Sequence, residues 1–140
     1  DSGVAKELHN MISEHGVTDR IKILSNVTDT ELIALYKSAR LMVFPSLYEG
    51  FGIPLLEAMA TDCPMSISDI DVFREIAGGA ALYFNPNEPS SICASIERLL
   101  GSKTLREELA KKGRLRLQHY LPAKLAGRLD AFYHSELLAK

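Results

Sequence analysis

Two carboxylates, Glu49 and Glu57, stand eight positions apart across the run Gly50-Phe51-Gly52-Ile53-Pro54-Leu55, which has the composition of a turn opening into a helix. Pro54 suits a first helical turn, where its missing N–H removes no bond, and Gly50 and Gly52 let the backbone approach a ligand with no side chain between. Amides at such a helix start are unpaired and lie at the positive end of the dipole, so they suit an anion such as a diphosphate. Glu57, about one turn into the helix, is placed to accept hydrogen bonds from ribose hydroxyls, as acidic residues do in dinucleotide-binding folds. Glu49, in the loop, reaches toward a sugar. The same residues also read as an ordinary βα loop with a capping acid, and fold class by itself does not choose between the two.

The elements that must hold this loop alternate between helix and strand. Residues 4–15 place Leu8, Met11 and Ile12 on one helical face, with Gly16 as a stop. Residues 20–27 read as a strand, and Thr28 with Glu31 three positions later reads as a capping box opening a helix through Leu32, Leu35, Tyr36 and Ala39. The continuous apolar run 41–44 predicts a strand covered on both faces. A helix over 54–61, a strand over 64–68, a helix over 71–77 and a strand over 80–84 follow, and then helices over 91–100, over 103–118 and from Pro122. Strands separated by helices of this length predict an α/β domain with a doubly wound, mainly parallel, Rossmann-like sheet, whose ligands bind beyond the carboxyl ends of the strands. The glycine loop lies at that rim, and the predicted strand ending near Val27 brings Asn26 to the same place.

The 140 residues make one domain's worth of material with ordinary globular composition, 46% hydrophobic and 24% charged. A formal charge of −2 and the absence of a basic stripe interleaved with aromatics argue against nucleic acid as a partner. Cys63 and Cys93 lie far apart without metal-ligand spacing and read as reduced, buried thiols of a cytoplasmic protein. His9, His15, His119 and His134 read as solvated or capping residues, and no metal is expected. No apolar run is long enough to cross a bilayer.

The run from Pro45 to Met59 resembles the Glu-x7-Glu signature of family 4 (group 1) retaining glycosyltransferases of the GT-B fold, which use nucleotide sugars. The likeness extends upstream through Arg20 to Leu24, Asn26 to Leu32 and Leu35 to Ser46, and downstream through Glu75, Ile76 and Gly78 to Leu82. The resemblance implies that Glu49 contacts the sugar at the reacting centre and that Glu57 holds the ribose. It further implies that Gly50, Phe51, Gly52, Ile53, Pro54 and Leu55 wrap the sugar and diphosphate, and that Asn26 and Val27 are candidate base contacts. For Asn26 the competing reading is a turn residue satisfying its own backbone. The donor would be a nucleotide diphosphate sugar carrying a hexose-type unit, with no cofactor. The acceptor, a sugar or a lipid, would be met through an N-terminal domain.

Several family features have no counterpart in these residues. The first two strands of the nucleotide-binding half, the basic Arg and Lys pair that neutralises the diphosphate, and the acceptor-binding domain are missing, while Asp1, Ser2 and Gly3 resemble the tail of the loop after the second strand. The expectation is therefore a donor-binding domain over 1–140, N-terminally incomplete, inactive alone and prone to self-association through unpaired strand edges. The intact enzyme would be cytoplasmic, or peripheral to a membrane when its acceptor is a lipid. Thr61-Asp62-Cys63-Pro64 replaces a small residue and glycine, so Asp62 must take up a left-handed backbone. Gln118 to Pro122 replaces the family's Phe-Ser-Trp before the last helix. A non-catalytic GT-B-like interaction module is the alternative, and a nucleotide-sugar epimerase fits the Glu-x7-Glu run less well.

Overall fold

The computed structural model describes residues 2–138, with the side chains of residues 3 and 5–135 placed; Asp1 lies outside the described residues. The chain forms helices α1 (Ser2–Glu14), α2 (Asp29–Ser38), α3 (Ile53–Ala60), α4 (Asp71–Ala77), α5 (Pro89–Gly101), α6 (Lys103–Leu117) and α7 (Pro122–Leu138), with strands β1 (Met42–Phe44), β2 (Met65–Ser68) and β3 (Ala81–Phe84). The strands make one parallel sheet in the order β1-β2-β3, with Met42 opposite Met65 and Met65 opposite Ala81.

Right-handed crossovers that advance in one direction put their helices on the same face. α3 and α4 accordingly share one side, where Leu55, Ala58, Met59, Phe73, Ile76 and Ala77 bury Met65, Ile67 and Ala81. Alternation along the strands turns Ser66 to the opposite side, under α5, where its hydroxyl bonds that of Ser95 at 2.7 Å. The central strand β2 is thus buried along its whole length. Its buried serines are paired, as buried hydroxyls must be, Ser68 donating to the Phe44 carbonyl. The expected α/β architecture with an open parallel sheet and helices on both faces is the one observed.

Local signals explain where the helices begin and end. Thr28 and Glu31 form the reciprocal capping box, with the Thr28 N–H donating to Glu31 Oε2 at 2.9 Å. The exposed Glu31 carboxyl is held below the usual range by that pair of bonds from Thr28. α3 closes with Asp62 at φ 57° and the Cys63 N–H bonded back to the Ala58 carbonyl at 2.9 Å, a Schellman closure in which Asp62 takes the place usually given to glycine. The left-handed backbone expected of Asp62 is therefore present.

Three expectations fail on the N-terminal side. Residues 20–27 form no strand: a short 3-10 turn over Thr18–Arg20 leads into backbone that is extended at Ile21 but pairs with nothing among the described residues. The β-branched run carried the strand signal, yet a strand exists only with a partner, and the outer edge of β1 takes none from it. β1 is likewise not covered on both faces, because α5 lies over β2 and β3 and leaves Val43 exposed. Ser2 and Gly3 open α1 rather than trailing from a loop.

Candidate functional site

The loop after β1 is shaped from beneath. Gly52 caps the start of α3 in a left-handed conformation (φ 90°, ψ 53°), and a Cβ there would lie 3.0 Å from Cε1 of Phe73. Phe73 is fully buried and stacks on Phe44 with ring centroids 5.2 Å apart, so it cannot yield. Glycine is thus required at 52 by both backbone and space. Gly50 has nothing within 4 Å of where a Cβ would stand, so the fold makes no spatial demand there. α3 starts at Ile53, one residue earlier than expected, with Pro54 in its first turn and no side-chain cap. Leu55 is buried in the core and its N–H bonds the Gly52 carbonyl. Ile53 is exposed, and Phe51 meets Tyr120 edge to face at 6.1 Å.

The two acids are held separately. Glu49 is half-buried in the loop, where the Ser46 hydroxyl donates to its Oε1 at 2.9 Å. Glu57 is half-buried on α3 and accepts the Tyr36 hydroxyl at Oε2, 3.1 Å away. Burial, then the bond to Glu57, pushes the Tyr36 phenol up to about 12, so Tyr36 keeps its proton and acts as donor to the carboxylate. Glu57 lines a cleft of about 510 Å³ between α2 and α3 with Asp29, Leu32, Ile33, Tyr36, Lys37, Ala60 and Thr61, and Glu49 is outside that lining. Asn26 and Val27 line another cleft, of about 510 Å³, against Glu31, Ala34 and Leu35 of α2. Asn26 has φ 55°, the geometry of a turn residue.

Nearby charged and reactive side chains are engaged elsewhere. Arg74 pairs with Asp69 and lies over the ring of Tyr83. Glu75 contributes its backbone carbonyl, not its exposed carboxylate, to Arg116 and Tyr120. Cys63 is buried and its thiol is pushed up to about 11 by burial, whereas Cys93 is exposed, contrary to expectation. His134 sits 3.4 Å from the carboxylate of Asp130, one turn earlier on α7, a pairing the sequence reading passed over. Three supports of the site were also missed: Ser46 under Glu49, Tyr36 behind Glu57, and Tyr120 against Phe51. Only Tyr36 had a usable signal, being a polar-tipped aromatic on the apolar stripe of a well-capped helix. No helix among the described residues is long and apolar enough to cross a membrane.

Comparison with known proteins fits this geometry. The family model described as glycosyl transferases group 1 matches residues 1–116. The O-antigen chain mannosyltransferase RfbU of Salmonella typhimurium is 40% identical over 95 residues, which cover 68% of this chain and 27% of that protein. Among solved structures, sucrose-phosphate synthase from Thermosynechococcus elongatus superposes with a TM-score of 0.80 at 26% identity, over 96% of this chain and 35% of the synthase. The C-terminal domain of a group 1 glycosyl transferase (LpcC) from Francisella tularensis superposes with a TM-score of 0.69 at 24% identity, over 83% of this chain and 61% of that domain, and shows the fold alone. The chain spans less than a third of the length of the curated relatives it matches.

Proposed function

The chain belongs to the group 1 glycosyl transferases, and from that premise we propose that it is the donor-binding part of a retaining, family 4 glycosyltransferase of the GT-B type. The intact enzyme would move a hexose-type sugar from a nucleotide diphosphate sugar to an acceptor hydroxyl without a metal or cofactor. The mannosyltransferase names among the relatives favour a hexose. The observation that carries the reading is the loop itself: Gly52, fixed over Phe73, turns the chain so that Glu49 precedes and Glu57 follows a helix start without a side-chain cap. In the proposed complex the Ile53 amide and those of the loop before it, at the positive end of α3, stabilise the departing diphosphate. Glu49 takes the sugar hydroxyls. Glu57, oriented by Tyr36, takes the ribose, and Asn26 and Val27 border the base. The acceptor, sugar or lipid, would come from a preceding domain, and the setting is cytoplasmic, at the membrane surface for a lipid acceptor.

Titration of the intact enzyme with nucleotide diphosphate and with nucleotide sugar tests the assignment. Glu57→Ala should weaken both by about 1.5 to 3 kcal/mol, the worth of a hydrogen bond to a charged group. Glu49→Ala should lower turnover more than affinity if its contacts tighten in the transition state. Unchanged binding and rate in both variants would favour a non-catalytic module of the same fold.

A further inference from the structure

At the end of the sheet opposite the glycine loop, the segments leading into β1 and β2 meet α6 around a cleft of about 930 Å³. Its lining brings together Lys37, Arg40, Lys103, Arg106, Lys111 and Arg114 against only Asp62 and Glu107. That is a local excess of four positive charges in a chain whose formal net charge is −2. Arg114 is neutralised by Asp62, and Lys103 lies 3.5 Å from Glu107. Lys37, Arg40, Arg106 and Lys111 have no carboxylate partner among the described residues.

Two of these cations are forced together. Arg40 Nη2 donates to the Leu100 carbonyl at 3.3 Å and Arg106 Nη1 donates to the same oxygen at 2.9 Å. Their nitrogens therefore lie no farther apart than those two bonds end to end. Capping the C-terminal carbonyls of α5 accounts for this contact, since Arg106 also reaches the Leu99 carbonyl. Capping leaves most of each guanidinium's five donors unused, and it does not explain the ammonium groups of Lys37 and Lys111 beside them. Exposed cations gathered without a counter-charge are screened by water and stay free to meet an anion, and guanidinium forks match phosphate oxygens in geometry.

We propose that this cleft binds a multivalent phosphate anion, independently of the donor site. The phosphates are either free in solution or presented by lipid headgroups. Lys37 also lines the cleft of Glu57 and is left intact in the tests. Calorimetric titration of the full protein with tripolyphosphate, and co-sedimentation with phosphatidylcholine vesicles with and without phosphatidylglycerol, distinguish the two sources. Affinity should fall about tenfold for each cation removed, in Lys111→Gln and further in Arg40→Gln/Lys111→Gln. Lys111 is exposed and makes no side-chain bond among the described residues, so the single variant should keep the wild-type unfolding temperature. Tripolyphosphate binding lost in the variants identifies a free anion; vesicle binding that requires phosphatidylglycerol and is lost in the same variants identifies headgroups. Equal binding by wild type and both variants, or no binding of either probe, overturns the proposal.

Discussion

The two ends of α3 solve the same backbone problem with different residues. Gly52 before the helix and Asp62 after it are both left-handed, at φ 90° and 57°. Before the helix, Phe73 occupies the space where a side chain would start, so only glycine fits. After it, Asp62 is open to solvent on one side and its carboxylate meets Arg114 of α6. Strain coincident with packing admits glycine alone, whereas strain at the surface tolerates a residue that can use its side chain. The first end presents the proposed chemistry; the second borders the basic cleft.

Substituting the glycines should give the largest contrast. Gly52→Ala combines a left-handed β-carbon, about 1 to 2 kcal/mol, with overpacking against an immovable ring, and should cost about 2 to 4 kcal/mol in urea unfolding. Gly50→Ala should stay within about 0.5 kcal/mol of wild type, as an exposed position free of clashes. If its backbone lies against a donor, Gly50→Ala will weaken donor binding all the same. Equal destabilisation by the two would show that Phe73 is not what selects glycine at 52.

At the other end the effects should be smaller and partly cancel. Asp62→Gly relieves the left-handed strain but gives up an ion pair exposed on both sides, worth about 0 to 1 kcal/mol, so its stability should stay within about 1 kcal/mol of wild type. Asp62→Ala loses the pair and keeps the strain, and should cost about 0 to 1 kcal/mol. A loss in Asp62→Gly as large as that in Asp62→Ala would assign the stability to the Arg114 contact, not to backbone relief. The exposure of apolar residues, Val43 on β1 together with Ile21, Ile23 and Leu24 of the unpaired segment, should make the 140-residue chain self-associate. Sedimentation showing a monomer at all concentrations would break that expectation.

The same contrast explains what was legible in the sequence. The loop end is written in one contiguous run, and its neighbours announce themselves locally: the Thr28 box starts α2 and α4 spans Asp71–Ala77 as read. The basic end is assembled from α2, the turn between α2 and β1, and α6, so that Lys37 and Arg40 meet Arg106 only in three dimensions. Nothing in their order along the chain brings those residues together. The strand expected over 20–27 failed for a related reason, since β-branched composition is local but pairing is not. Tyr36 was placed correctly on its helix, yet its partner Glu57 is 21 positions away and no periodicity points to it.

Tyr36 offers the finest test of the loop end. Its phenol sits above the ordinary value of 10.0, at about 12, because burial and then the bond to Glu57 disfavour the phenolate. A folded state that holds the proton more tightly than the unfolded chain gains stability that is complete below pH 10 and is lost as pH rises through about 12. The Cys63 thiol, raised from 9.0 to about 11 by burial, acts with the same sign at lower pH, so the wild-type curve alone does not separate the two. Tyr36→Phe does. It should cost about 1 kcal/mol near neutrality, where one partner of a half-exposed hydrogen bond is lost, and the difference from wild type should shrink between pH 10 and 12. Donor affinity should fall modestly in parallel, since Glu57 then loses the group that orients it. A constant difference through that alkaline range would mean that the Tyr36 hydroxyl does not donate to Glu57 in solution, and the carboxylate would have to be positioned by α3 alone.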